Sequence, residues 1–151
     1  MIDKKLNVKL LSEEFDMLEK AIHTLKLSVN KCIAIYNKTD YSFEDLESFD
    51  SLTSKFSRAS DLYTQKIIRT IWILLHEPFV PFIDMLNQAE KLSIIYSADQ
   101  LFEIRDLRNQ ITHEYLPDAI TELVPDVLEY AILLEKNFKT TKQFINKRKW
   151  I

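Results

Sequence analysis

No glycine occurs anywhere in the 151 residues, and this restricts the fold more than any other feature. Tight hairpins of the primed turn types depend on Gly or Asn-Gly at positions of positive φ. A many-stranded sheet is therefore poorly supported, and an all-α chain with a few short connections is expected. Its helices must close without the residue that most often ends them, and Asn37 and Asn87 are the expected stand-ins. The phosphate-cradling GxGxxG and P-loop motifs also need glycine, so nucleotide binding through either is excluded.

Length and composition fit one domain, residues 1–151, able to bury a substantial core. Apolar residues make up 46% and charged residues 28%, which is ordinary for a soluble globular protein. Cys32 is the single cysteine and is read as a small buried apolar residue in a reducing compartment. The opening MIDKKLNVKLLSEEF lacks a continuous apolar core, so no signal peptide is expected. The longest apolar run, Ile71 to Leu75, is far short of the roughly 20 residues of a membrane span. A soluble, cytoplasmic protein with no membrane partner is expected.

His23, His76 and His113 are far apart, no HExxH occurs, and no cluster has metal-ligand spacing. Neither metal nor cofactor is therefore expected. His76-Glu77 is not read as an acid–base pair, because adjacent side chains point apart in most backbones. Net charge is −3, which argues against bulk attraction to nucleic acid. Its distribution is uneven. Asp40, Glu44, Asp45, Glu47 and Asp50 fall in eleven residues without Lys or Arg, whereas Lys136 to Ile151 holds six basic residues and no acid. That tail is read as a solvated helix face or loose end, with contact to RNA or an acidic partner as the functional alternative.

Apolar spacing of three and four residues marks successive helices. The first runs from about Asn7 to Asn37, with Ser12 as an alternative start. A second begins at Ser42-Phe43-Glu44-Asp45 and reaches about Leu75, and its apolar end suggests burial on more than one side. His76-Glu77-Pro78 breaks it, and Pro81 sits in the first turn of a short third helix. The fourth covers Ser97 to Tyr115, capped by Ser97 or Asp99 and ended by Pro117. The fifth begins near Ala119 and is either kinked by Pro125 or starts just before it. The sum is an up-and-down bundle of four to five helices.

The one dense chemical constellation is RNQITHEY, Arg108 to Tyr115. Arg108 and His113 lie five residues apart, roughly 140° around the helix and about 7.5 Å along it. They do not share one stripe, so a site built from a single helix is loose. Two copies related by a two-fold axis bring His and Arg of both chains around one cleft. These residue types suit metal-free phosphodiester cleavage. A neutral imidazole accepts the 2′-OH proton of RNA and an imidazolium protonates the leaving 5′-oxygen. The guanidinium stabilises charge on the phosphate, and Asn109 orients the imidazole or bonds a phosphate.

RNQITHEY matches RxxxxHxY, and within EIRDLRNQITHEY it closely resembles the HEPN superfamily, nearest to HepT-like toxins paired with minimal nucleotidyltransferase (MNT) antitoxins. The resemblance covers about Ser97 to Tyr115. It implies an all-helical symmetric homodimer and a metal-independent endoribonuclease site at the dimer interface. Carried over by position, Arg108 and His113 are catalytic, Asn109 is the polar residue after the Arg, and Tyr115 is the tyrosine that the MNT partner modifies with AMP. Lys91-Leu92-Ser93-Ile94-Ile95 resembles a turn that often contains glycine in relatives. Two other readings stand beside this one: a non-catalytic HEPN subunit that binds a nucleotidyltransferase, and a helical protein whose polar motif only fixes dimer register.

Overall fold

The structure is a computed structural model that describes residues 3–114 and 116–151. Its described residues form five helices and no strand. Helix α1 is Lys4–Ile35. Helix α2 is a continuous rod of three parts: an α segment Phe43–Asp61, a π-helical turn Leu62–Ile67, and an α segment Ile68–Leu74. Helices α3, α4 and α5 are Phe82–Lys91, Ala98–His113 and Pro117–Lys147. No helix among the described residues is long and apolar enough to cross a membrane.

Side-chain pairs fix the directions. Lys55 Nζ donates to Ser28 Oγ at 2.9 Å and Thr70 Oγ1 to Glu14 Oε1 at 2.6 Å, so α2 runs antiparallel to α1. Lys26 meets Glu135 at 3.2 Å and Lys142 meets Glu19 at 3.8 Å, so α5 is also antiparallel to α1. Gln100 with Asn137 and Glu103 with Tyr130 set α4 against α5 in the opposite sense. The long helices thus alternate up and down, with α3 as a short insertion. Their shared core contains Leu18, Leu52, Phe56, Ile71, Leu101 and Leu134, all fully buried. At the apolar end of α2, Ile67, Ile68, Ile71, Trp72 and Leu74 are buried, while Ile73 is exposed.

Local chemistry explains the boundaries. Asp3 caps α1 by accepting Leu6 N–H, and Ser12 lies inside the helix. Ser42 and Asp45 form a reciprocal capping box. The Ser42 backbone N–H and then the Lys38 ammonium hold the Asp45 carboxyl below the usual carboxylate range. Pro81 is the N-cap of α3 rather than part of its first turn. Helix α5 begins at Pro117 itself, two residues before the expected start. A missing N–H matters little at that position, and the ring's fixed φ suits helix entry. The helix then continues through Pro125, which is exposed and contributes no N–H to the ladder.

The glycine-free helix ends use left-handed residues other than those expected. Positive φ occurs at His76, Ser93 and Lys149 (57°, 60° and 57°), while Asn87 lies within α3. Each of the three closes a Schellman motif. Ser93 N–H donates to Glu90 O at 3.0 Å and Ile94 N–H to Ala89 O at 2.9 Å. The bonds from His76 to Ile73 and Glu77 to Trp72, and from Lys149 to Asn146 and Trp150 to Ile145, repeat the pattern. A left-handed non-glycine residue costs about 1–2 kcal/mol. Ser93 is exposed, so Ser93→Gly removes strain without emptying the core. The variant is expected to gain about 0.5–1 kcal/mol after the larger unfolded-state entropy of glycine is subtracted. A thermal melt checks this, and a lowered Tm would contradict it.

Candidate functional site

Helix α4 is tied down at its N-terminal end and open at its C-terminal end. Ser97 Oγ accepts Gln100 N–H at 3.2 Å, making Ser97 rather than Asp99 the cap. Just before it, Asn137 of α5, fully buried, accepts Tyr96 N–H and Ser97 N–H at 3.0 and 2.9 Å through one Oδ1. Its Nδ2 donates to Gln100 Oε1 and Leu133 O, both at 2.9 Å. Glu90 accepts Ala98 N–H at 3.0 Å. One turn along α5, Thr141 Oγ1 donates to Ile94 O at 2.7 Å. A hydroxyl has one proton, so Tyr63 O–H is the donor across its 2.6 Å contact with Thr141 Oγ1. Burial pushes the Tyr63 phenol well up, keeping it neutral.

The middle of α4 is held by Tyr130, whose hydroxyl donates to Glu103 Oε2 at 2.7 Å. That carboxylate, helped by burial, pushes the phenol up to about 12. Beyond it the core stripe Leu101, Ile104 and Leu107 is buried, while Arg108, Asn109 and His113 occupy the outer faces.

Arg108 is clamped. Its Nε and Nη2 donate to the two oxygens of Asp61, each at 2.8 Å, in a side-on fork. The Asp61 hydrogen bonds raise the guanidinium's already high pKa further, against a smaller effect of burial, so it is cationic at every working pH. The remaining edge, Nη1, lies 3.5 Å from Asn109 Oδ1. Asp61 is the last α-helical residue before the π-helical turn of α2, whose widened ladder includes a bond from Ile68 N–H back to Tyr63 O. Such turns often mark functional positions. Asp61 and Gln65 together with Arg105, Arg108 and Asn109 line a cleft of about 370 Å³. Arg105 stacks 4.1 Å over the ring of Phe82 and carries this cleft into a second depression bordered by Ile83 and Phe102.

Arg108 and Asn109, adjacent in the chain, both border the cleft. His113 is not in that cleft; it is the exposed last residue of α4. Tyr115 lies outside the described residues. Asp61 and Gln65 were not foreseen, because both sit in a mixed polar stretch of α2 with no motif around them. Cys32 is buried, and that burial pushes its thiol up, as befits an inert core residue. Among the described residues no group of three His, Cys, Asp or Glu side chains is placed to hold a metal ion.

No protein-family model matches the chain, and no curated protein matches it at a significant level. The functional reading rests on the residues themselves.

Proposed function

We propose that this protein is a HEPN-type, metal-independent endoribonuclease acting as a homodimer, the toxin of a pair whose MNT nucleotidyltransferase partner silences it by adding AMP to Tyr115. The observation that carries this reading is the way Arg108 is held. Two of its donor positions are spent on Asp61, which fixes the plane of the guanidinium and leaves Nη1 beside Asn109 for a phosphate oxygen. An Arg fixed before substrate arrives stabilises transition-state charge without reorganisation.

His113 alone at an exposed helix end cannot complete such a site, and a second copy of α4 supplies what is missing. Uncovered apolar surface in the adjoining depression supports a dimer: Ile83 there is 61% exposed, and unburied apolar patches mark interfaces. In the assembled site one imidazole takes the 2′-OH proton, and the 2′-oxygen attacks phosphorus. The 5′-oxygen leaves with a proton from an imidazolium, and Arg108 neutralises the phosphate oxygens. The products are a 2′,3′-cyclic phosphate and a 5′-hydroxyl.

The test is incubation of the purified protein with an unstructured RNA in EDTA. Fragments with those termini are expected. In the presence of ATP and the neighbouring nucleotidyltransferase, AMP-sized mass increments are expected on wild type and not on Tyr115→Phe. Asp61→Asn weakens the fork while keeping its shape. It is expected to lower kcat about 10²-fold through misplacement of the guanidinium. Its effect on Tm should be small, because this pair is partly solvated.

A second reading, a non-catalytic HEPN subunit that binds the nucleotidyltransferase, has one observation in its favour. From Pro117 to Glu135, α5 carries five acids and no Lys or Arg, beside a site that would have to attract RNA. A stable complex with the partner and no cleavage by wild type would decide for it.

A further inference from the structure

Helix α5 is divided electrostatically. Its first part carries the five acids Asp118, Glu122, Asp126, Glu129 and Glu135, and from Lys136 onward every charged side chain is basic. The helix macrodipole favours acids at the start and cations at the end, but only over about one turn at each end. It does not account for a change of sign in mid-helix between Glu135 and Lys136.

The basic part is structured rather than loose. It remains helical to Lys147 and is closed by the left-handed Lys149. At 100° per residue Lys136, Lys139 and Lys147 fall within roughly 80° of arc, along about 16 Å of the axis. Among the described residues Lys136, Lys147, Arg148 and Lys149 make no salt bridge, while Lys139 and Lys142 pair weakly at 3.5 and 3.8 Å. The antiparallel register set by Glu19–Lys142 and Lys26–Glu135 brings Glu13 and Asp16 of α1 level with this stretch. Cations remain in excess.

Aromatic rings are interleaved with these charges. Lys136 Nζ sits 4.0 Å from the ring centroid of Tyr96, which is half exposed. Arg148 lies 5.1 and 5.8 Å from the rings of Phe144 and Trp150. Cations that follow a phosphate backbone, beside rings on which bases stack, are how single-stranded nucleic acids are held without sequence preference. We propose that the C-terminal third of α5, with Tyr96 and Trp150, is a binding face for single-stranded RNA, separate from the Arg108 cleft. The two lie toward opposite ends of α4, a helix of 16 residues and so about 24 Å long. This face would retain RNA whether or not Arg108 and His113 cleave it.

The experiment measures fluorescence anisotropy of a labelled, unstructured 12-nucleotide RNA with the full chain carrying His113→Ala, at several salt concentrations between 50 and 200 mM. Adding Lys136→Gln, Lys147→Gln and Lys149→Gln, all at exposed positions, is expected to weaken binding at least tenfold. The slope of log K against log salt should fall by about two, at roughly 0.7 per phosphate lost. A circular-dichroism melt verifies that the variant is folded. In a Trp72→Phe background Trp150 is the only tryptophan, and RNA should quench its emission.

Unchanged affinity in the triple variant overturns the proposal. Loss of binding by Arg108→Ala in its place also overturns it and moves the RNA to the cleft. Binding of poly-glutamate as tight as that of RNA, without quenching, overturns it in favour of an acidic protein partner. Cleavage is not read in any arm, so failure here is distinct from failure of the endoribonuclease assignment.

Discussion

Replacing His113 by alanine is expected to reduce RNA cleavage by about 10³-fold or more while leaving a folded dimer. One positioned imidazole contributes typically about 10²–10⁴-fold by proton transfer. In a symmetric site the substitution removes it from both subunits at once. Arg108→Ala is expected to cost about 10²–10³-fold, the usual effect of deleting one preorganised donor to a charged transition state. The histidine is exposed and belongs to no core contact, so its loss should change stability by no more than about 0.5 kcal/mol. Induced expression gives the cellular counterpart: growth arrest by wild type, relieved by the neighbouring reading frame, and no arrest by His113→Ala. If both single variants cleave and arrest growth like wild type, the chemistry lies elsewhere.

The largest stability effect is expected at Asn137. Its amide accepts two backbone N–H groups ahead of α4 and donates to Gln100 and Leu133. Asn137→Leu keeps the branched shape but strands the N–H groups of Tyr96 and Ser97. Each partly buried donor left without a partner costs about 1–3 kcal/mol, so a loss of about 3 kcal/mol is expected. For a chain of this size that lowers Tm by about 6–12 °C. The same change should loosen the docking of α4. Amide hydrogen exchange at residues 98–104 is then expected to accelerate more than at the middle of α1. A uniform acceleration across the protein would show that Asn137 contributes only to global stability and does not anchor α4.

The helical class was legible because a missing residue type and three-four spacing both survive any tertiary detail. Leu101, Ile104, Leu107 and Ile111 fall on one stripe by periodicity alone; the first three are buried and Ile111 partly so. Asp61 could not be assigned to Arg108. The pair joins residues 47 apart, and whether they meet depends on the rotation of α2 about its axis, which the π-helical turn adjusts. Asn137 was equally hidden, since an asparagine late in a helix reads as a surface residue until the chain that crosses it is known. The left-handed positions were missed for a local reason. Propensity favours asparagine, but the place where each helix must end was set by Ile94, Trp150 and the proline after Glu77, and the residue already there had to adopt the geometry.

The three strained helix ends also bear on the unfolded chain. An average protein of this length would contain about ten glycines, each adding backbone freedom that folding must remove, roughly 0.4–1 kcal/mol relative to alanine. With none, the denatured ensemble is narrower by several kcal/mol in total. Strain at His76, Ser93 and Lys149 takes back only part of that advantage. The rigidity of this sequence before it folds therefore helps set the stability margin of the folded bundle.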